Sequence, residues 1–414
     1  MNYPLFIARR LSLSSGGKRK APAVAVAVAA VALSVAVMLA SIAIVLGFKS
    51  EIREKVVGFN GHITLYASPL TQDEDNIITN IPSLRKILNE IPYITDYSLQ
   101  AAIPAILKTS SDFKGIYLKG LNGELSTKFI EKNLEEGKLI DLNLEANKNK
   151  IYISRKAARQ LKLKTGDKID TYFISDDVRV RRLEIAGIFN THFDQYDDLY
   201  VLGSLPLVQQ LGQIGSDQGT FLCITTDNFD KISDYTLDLQ KRLNKALAEG
   251  DLFRLYRTDN VLNQGAGFFS WLNLLDTNVV VVLILMMIVG CVTLVSGMLI
   301  IILEKKRFIG MMKALGAPTY QVRKIFIYLA LRIAITGLVI GNVIMLTLLY
   351  LQSEKHFIPL DPESYYIDFV PVELTWQSIL ILNLGVIFVT YLILILPSGF
   401  VSKISPSETM KYED

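Results

Sequence analysis

Four stretches of this chain carry no Asp, Glu, Lys or Arg for 21 residues or more: 21–48, 277–303, 333–353 and 374–402. A helix that crosses a bilayer needs about 20 mostly apolar residues at about 1.5 Å rise each. All four runs are long enough. The first follows Lys18, Arg19 and Lys20. It is nearly twice the length of a secretory h-region, so it reads as a retained helix. A fifth gap, 201–216, is shorter and broken by Gly and Pro, and reads as soluble. Half of the 414 residues are hydrophobic, 20% are charged and the mean hydropathy is +0.34. That content supports sizeable cores and excludes a disordered chain. A net charge of +3 excludes a strongly basic nucleic-acid binder.

The layout is one helix, one large domain, then three helices close together. The domain, 49–276, holds 28 Lys/Arg and 31 Asp/Glu, an ordinary globular balance. Lys and Arg near helix ends set orientation. Residues 1–20 carry five basic residues and no acid, and 304–324 carry six against one acid. The loop 354–373 carries Lys355 against five acids. The expected order is a cytoplasmic segment 1–20, spans at 21–48, 277–303, 325–353 and 374–402, a cytoplasmic loop 304–324 and a cytoplasmic tail 403–414. The domain 49–276 and the loop 354–373 then face outward. Cys223 falls in the domain and Cys291 in a span, so they cannot pair with each other.

The fold class expected is α-helical membrane protein with four spans plus a large α+β extracytoplasmic domain. Strand patterns at 63–66, 97–108, 116–118, 221–225 and 252–256 and amphipathic helices from Ile81 and Asn228 give strand-helix-strand at each end of the domain. This is a ferredoxin-like split βαβ arrangement. A β-rich insertion fills about 125–218. The stretch 49–57 has no helix breaker and extends the first span as a stalk; 258–276 is read as a second stalk.

No enzyme site is visible. Gly16-Gly17-Lys18-Arg19 lacks the frame of a phosphate-binding loop. His62, His192 and His356 are scattered, against a metal site. The cluster from His192 to Asp198 fits a cation site or, more simply, a polar loop after a strand. Arg332, eight residues after Lys324, can snorkel, pair structurally or serve transport. Gly337 and Gly341, and Ala32, Ala36 and Ala40, repeat at four-residue spacing and favour close helix packing. In the loop 304–324, Phe308, Ile309, Met311, Met312 and Leu315 form an apolar stripe at helical spacing, stopped by Gly316 and Pro318. Such a helix either lies on lipid or plugs a groove on a partner.

The segment "RFIGMMKALGA" resembles the coupling-helix signature of the FtsX-like ABC permease family, with Glu304, Arg307, Ile309, Gly310, Lys313, Ala314, Leu315, Gly316 and Ala317 matching and Phe308 replacing an acid. "ISPSETMKYE" resembles the family's closing motif. "LFIARRL", "GFKSEIREKVVGFNGHITL", "LKTGDKI" and "AGIFNTHFDQYD" resemble the lipoprotein-releasing branch. The resemblance implies a permease dimer, homo- or heteromeric, and a separate cytoplasmic ATPase dimer that grips Arg307, Phe308, Ile309, Gly310, Met311, Met312, Lys313, Ala314, Leu315 and Gly316. ATP and Mg would sit in that partner; no catalytic residue, metal or cofactor is expected in this chain. Force would pass up the stalks to extract a lipoprotein from the outer leaflet and hand it to a periplasmic carrier. The hairpin at 175–180 is shorter than the hook that docks the carrier in that branch. Substrate acyl chains would meet Met38, Ile42, Met286 and Met287, positions that lipid contact or helix packing explain equally. The rival functions are regulation of cell-wall hydrolases by the same fold, efflux of peptides or drugs, and a membrane-anchored binding protein without an ATPase.

Overall fold

A computed structural model describes residues 3–10, 22–68, 76–79, 81–122, 124–142, 144–174 and 178–400. The basic run at 18–20, the hairpin tip at 175–177 and the tail 403–414 lie outside the described residues. In chain order the elements are α1 (Tyr3–Arg10), α2 (Pro22–Asn60), β1 (Ile63–Ser68), α3 (Ile81–Asn89), β2 (Ile94–Lys108), β3 (Phe113–Leu121), α4 (Glu124–Asn133), β4 (Leu134–Gly137), β5 (Lys150–Ser154), α5 (Arg155–Leu161), β6 (Lys168–Ile174), β7 (Val178–Phe189), α6 (Asp194–Leu199), β8 (Tyr200–Ser204), α7 (Leu205–Leu211), β9 (Phe221–Thr226), α8 (Ile232–Glu249), β10 (Leu255–Asn260), α9 (Val261–Gln264), α10 (Ala266–Glu304), α11 (Lys306–Ala314), α12 (Thr319–Lys355), α13 (Pro362–Tyr365), α14 (Trp376–Ile393) and α15 (Ile395–Ser398). The chain divides into two units: Met1–Ser50, Trp271–Leu360 and Phe369–Asp414 in one, Glu51–Ser270 and Asp361–Asp368 in the other.

The first unit is helical. Among the described residues, four helices are long and apolar enough to cross a bilayer: Val24–Asn60, Ala266–Glu304, Thr319–Lys355 and Trp376–Ser398. Their core joins Val35, Met38, Leu39, Met298, Phe326 and Leu329. Glycine sets the approach of α12 to α2. A Cβ on Gly341 would lie 2.5 Å from the Ala32 carbonyl oxygen, and one on Gly337 would lie 2.8 Å from that of Val28. Small residues let backbones meet where lipid gives no hydrophobic drive. A polar lock adds to this. Asn342 Nδ2 donates to Asn383 Oδ1 at 2.8 Å, and Asn383 Nδ2 donates back to Asn342 Oδ1 at 3.2 Å, tying α12 to α14. Arg332 lies on the exposed side of α12. The last span breaks at Leu394, between α14 and α15, because Pro397 has no N–H for the Ile393 carbonyl. α1 packs along α12, a helix the composition of 1–20 did not announce.

The second unit is an α/β domain. Strands β10-β1-β9-β2 run antiparallel in that order, with α3 and α8 as crossovers, which is the ferredoxin-like arrangement. β2 is too long for this sheet alone. Its first half pairs with β9 and its second half, from Ala101, pairs with β3, so the sheet continues into β8, β5, β7 and β4. The insertion therefore begins in structural terms within β2, before residue 125. Two of its helices start alike. Ser154 Oγ accepts from Ala157 N–H at 3.1 Å to cap α5, and Ser204 Oγ accepts from Leu207 N–H at 3.3 Å to cap α7.

Two expected boundaries shift. The strand expected at 252–256 is β10, because Gly250 ends α8 at φ +85° and the chain needs 251–254 to turn back. Residues 258–260, read as stalk, belong to β10. Asn260 ends that strand and caps α9, its Oδ1 accepting from Asn263 N–H at 2.9 Å, so the long helix starts only at Ala266. At the free edge of β10, Gln240 from α8 takes the outward groups. Its Nε2 donates to the Tyr256 carbonyl and its Oε1 accepts from Thr258 N–H, both at 2.8 Å. The opposite edge, β4, carries Glu135 and Glu136.

The glycine contact yields a test. Gly341→Leu should destabilise the chain in detergent by roughly 1–3 kcal/mol through overpacking. Gly385→Ala adds a methyl that meets nothing within 4 Å and should hold or raise the melting temperature. Equal melting of the two variants would contradict the α2–α12 approach.

Candidate functional site

The short helix α11 is separated from α10 only by Lys305, and α12 follows after a tight turn. The turn is a Schellman cap. Gly316 stands at φ +90°, Ala317 N–H donates to the Met312 carbonyl at 3.0 Å and Gly316 N–H to that of Lys313 at 3.0 Å. The apolar stripe read from the sequence splits into two faces. Ile309 is 0% exposed and Met312 is 7% exposed, and both join the core of the helical unit with Val322 and Phe326. Met311 and Leu315 point the other way, 53% and 79% exposed, and Phe308 is half-buried. Phe308, Met311 and Leu315 fall at i, i+3 and i+7, one side of a helix. Arg307, Ala314 and Gly316 are exposed, Lys313 is intermediate and Gly310 is buried. One face roots the helix in the bundle while the other offers an apolar ridge. Tyr320, 59% exposed at the start of α12, adjoins the ridge in sequence and was not singled out there.

The four positions expected to meet substrate lie against one cluster. Met38 is 1% exposed and belongs to the core; Ile42, Met286 and Met287 are partly buried against it. Met38 is thus a packing residue within this single chain. α10 bears a broad exposed apolar face, including Val281, Ile284, Leu285 and Ile288.

In the α/β domain, the end of α2 is embedded. Ile52, Val56 and Phe59 are buried, and Phe59 stacks on Tyr196 at 4.4 Å between ring centroids. Below it lies Lys119 of β3, 1% exposed. Its Nζ donates to the Phe59 carbonyl, lies 3.4 Å from Asn60 Oδ1, and stands 4.0 Å from the centre of the Phe59 ring. A cation at the last carbonyls of a helix complements the helix dipole. Arg53 packs its guanidinium 3.9 Å above the Phe229 ring. No periodicity marks Lys119, since a lysine within a strand usually reads as a solvent-facing residue.

The cluster after β7 is built as a polar turn. Asp197 accepts from Thr191 Oγ1 at 2.8 Å and from its N–H, and Asp198 pairs with Lys114 and Lys156. These carboxylates are engaged by the fold.

A family model described as FtsX-like permease C-terminal matches residues 280–406, and one described as MacB-like periplasmic core domain matches residues 24–235. The chain is 23% identical over 396 residues to lipoprotein-releasing system transmembrane protein LolC of Xylella fastidiosa, covering 91% of this chain and 90% of that one. It is 24% identical over 436 residues to lipoprotein-releasing system transmembrane protein LolE of Haemophilus influenzae, covering 99% of each. The crystal structure of the periplasmic region of MacB from Actinobacillus actinomycetemcomitans is similar at 13% identity and a TM-score of 0.34, over 51% of this chain and 94% of that one.

Lys119 gives a pH signature. Burial lowers it from the ordinary 10.5 to about 8. Between those values the unfolded chain binds the extra proton, so stability rises as pH climbs from 8 toward 10.5 and is lost as pH falls through 8. Thermal melts of the full chain in detergent from pH 7 to 10 should show this rise, and Lys119→Met should flatten it. An unchanged slope in the variant would remove Lys119 as its source.

Proposed function

Because this chain belongs to the family of FtsX-like permeases that carry a MacB-like periplasmic core domain, we propose that it is the membrane subunit of an ABC transporter that extracts lipoproteins from the outer leaflet of the inner membrane. The observation that carries the reading is the two-faced helix α11, placed in a chain whose relatives over nearly its full length are named for lipoprotein release. Both termini and α11 lie in the cytoplasm, and the α/β domain lies in the periplasm.

A separate ATPase dimer receives the ridge of Phe308, Met311 and Leu315, with Arg307 and Lys313 at its rim. Burial of this ridge is worth about 1.5–3 kcal/mol per large side chain. Nucleotide-driven closure pushes α11. Ile309 and Met312 convey the push to Phe326 and the core, because a packed core shifts as a body rather than deforming. α2 is helical from Pro22 to Asn60 without a break, so its movement reaches Phe59 and Lys119 in β3. Two permease subunits form the transporter. Acyl chains meet Ile42, Met286 and Met287, the two methionines adapting to such a ligand through their flexible side chains, and reach Met38 only when α2 and α10 part. Extracted lipoprotein passes to a periplasmic carrier. ATP and Mg are bound by the partner.

Leu315→Asp should abolish co-purification of the ATPase, since an unpaired carboxylate in an apolar groove costs several kcal/mol, more than about 100-fold in affinity. Depletion of the chain should trap mature lipoproteins in the inner membrane, read by membrane fractionation. Normal sorting on depletion, in cells without a second such transporter, would overturn the substrate and favour hydrolase regulation or efflux.

A further inference from the structure

The α/β domain takes up a third piece of chain, Asp361–Asp368, from the connection between α12 and α14. This segment is held at several points. The Tyr366 ring stacks on Phe193 with centroids 5.1 Å apart and meets Phe268, at the start of α10, edge-on at 5.4 Å. Phe193 and Ile367 are buried beside it. Lys55 of α2 donates to the Tyr366 carbonyl at 2.8 Å and to the Thr191 carbonyl at 3.1 Å. His192 Nε2 lies 3.0 Å from Asp368 Oδ2.

Both sides of this contact hold unusual backbone. Tyr366 sits at φ +62° and His192 at φ +59°. Side chains other than glycine stay in that region only where their surroundings hold them. Asp197 braces the His192 side by accepting from Thr191. Asp361 and Pro362 also form one lip of an open cleft of about 510 Å³, facing Arg155, Arg159, Asn190 and His192. Release of the segment would relax Tyr366 and remove that lip. Its attachment is local, an aromatic wedge around Tyr366, the buried Ile367 and a set of polar contacts, so it can open without unfolding the domain. Lys55 is the common pin, because a single ammonium on α2 bridges the segment and the turn at Thr191. A shift of the Lys55 ammonium releases both carbonyls at once, while Ile52 and Val56 keep α2 packed in the domain.

We propose that Asp361–Asp368 is a latch, closed in this structure, that α2 opens through Lys55 during the working cycle. The inference rests on the permease reading above. It adds a third force-bearing connection to the domain besides α2 and α10, one that engages and lets go.

The test uses the full chain with its co-purified ATPase in proteoliposomes, with Cys223→Ala and Cys291→Ala removing the native thiols. His192→Cys and Asp368→Cys are bridged by a short, reducible bifunctional thiosulfonate. Release of a labelled acylated reporter lipoprotein should be lost on bridging and return on reduction, while ATP hydrolysis continues. Release at the unbridged rate would overturn the latch. Should the unbridged complex release no reporter, the substrate assignment fails and the latch is read separately. Spin labels at the same two positions should then show a longer distance with ADP and vanadate than without nucleotide. One short distance in both states would overturn the latch whatever the substrate. Lys55→Met should favour the longer distance even without nucleotide, and an unchanged distance would overturn its role as the pin.

Discussion

Everything else in this molecule depends on the unbroken backbone hydrogen bonding of α2. A helix of 39 residues spans roughly 58 Å at about 1.5 Å per residue. Within hydrocarbon those bonds are compulsory, because no water is present to replace them. Beyond the apolar run the same ladder continues through Lys49, Glu51, Arg53 and Lys55 to Asn60, where nothing about lipid demands it. What keeps the far end helical is packing: Ile52, Val56 and Phe59 lie at helical spacing and are buried in the α/β domain. The helix is therefore stabilised in two ways, by its obligatory backbone bonds along the apolar run and by side-chain packing where its end lies in the α/β domain.

α10 is its counterpart. It is equally long, and Lys49 of α2 pairs with Asp276 of α10. Phe48 meets Trp271 edge-on at 6.2 Å. An ion pair at this level is modest in energy when solvated, and with the ring contact it marks where the two helices run side by side. The core of the helical unit is bound more tightly, by the glycine contacts of α12 and the amide pair of Asn342 and Asn383. Tight packing on one side of a helix and a broad exposed face on the other suit an element that must move as a body against lipid or a second subunit.

Much of this was legible in the sequence. Charge-free length reported the four helices directly, because the cost of a charge in hydrocarbon leaves few exceptions. The ferredoxin-like part was legible because its strands and helices alternate between periods of two and nearly four. The insertion was harder. β2 serves two sheets, and a strand that changes partners at Gln100 and Ala101 leaves no mark in composition. The stripe on α11 was visible, but its division was not. Ile309 and Met311 are equally apolar, and only the tertiary position of α12 decides which one faces inward. Lys119 and Tyr366 were missed for the same reason. One is a charge buried by a helix end 60 residues away, and the other takes its backbone angle from contacts with Lys55, Phe193 and Phe268.

The side chain of Gln240 has a consequence for the free edge of the sheet. An open strand edge is a template on which another chain can add a strand. At β10 the outward carbonyl of Tyr256 and N–H of Thr258 are already occupied by one amide, a short imitation of the missing strand. At β4, Glu135 and Glu136 stand at the other edge, both paired with Arg155. The sheet therefore carries its own stopper at the β10 edge, where an added strand would first have to displace the Gln240 amide.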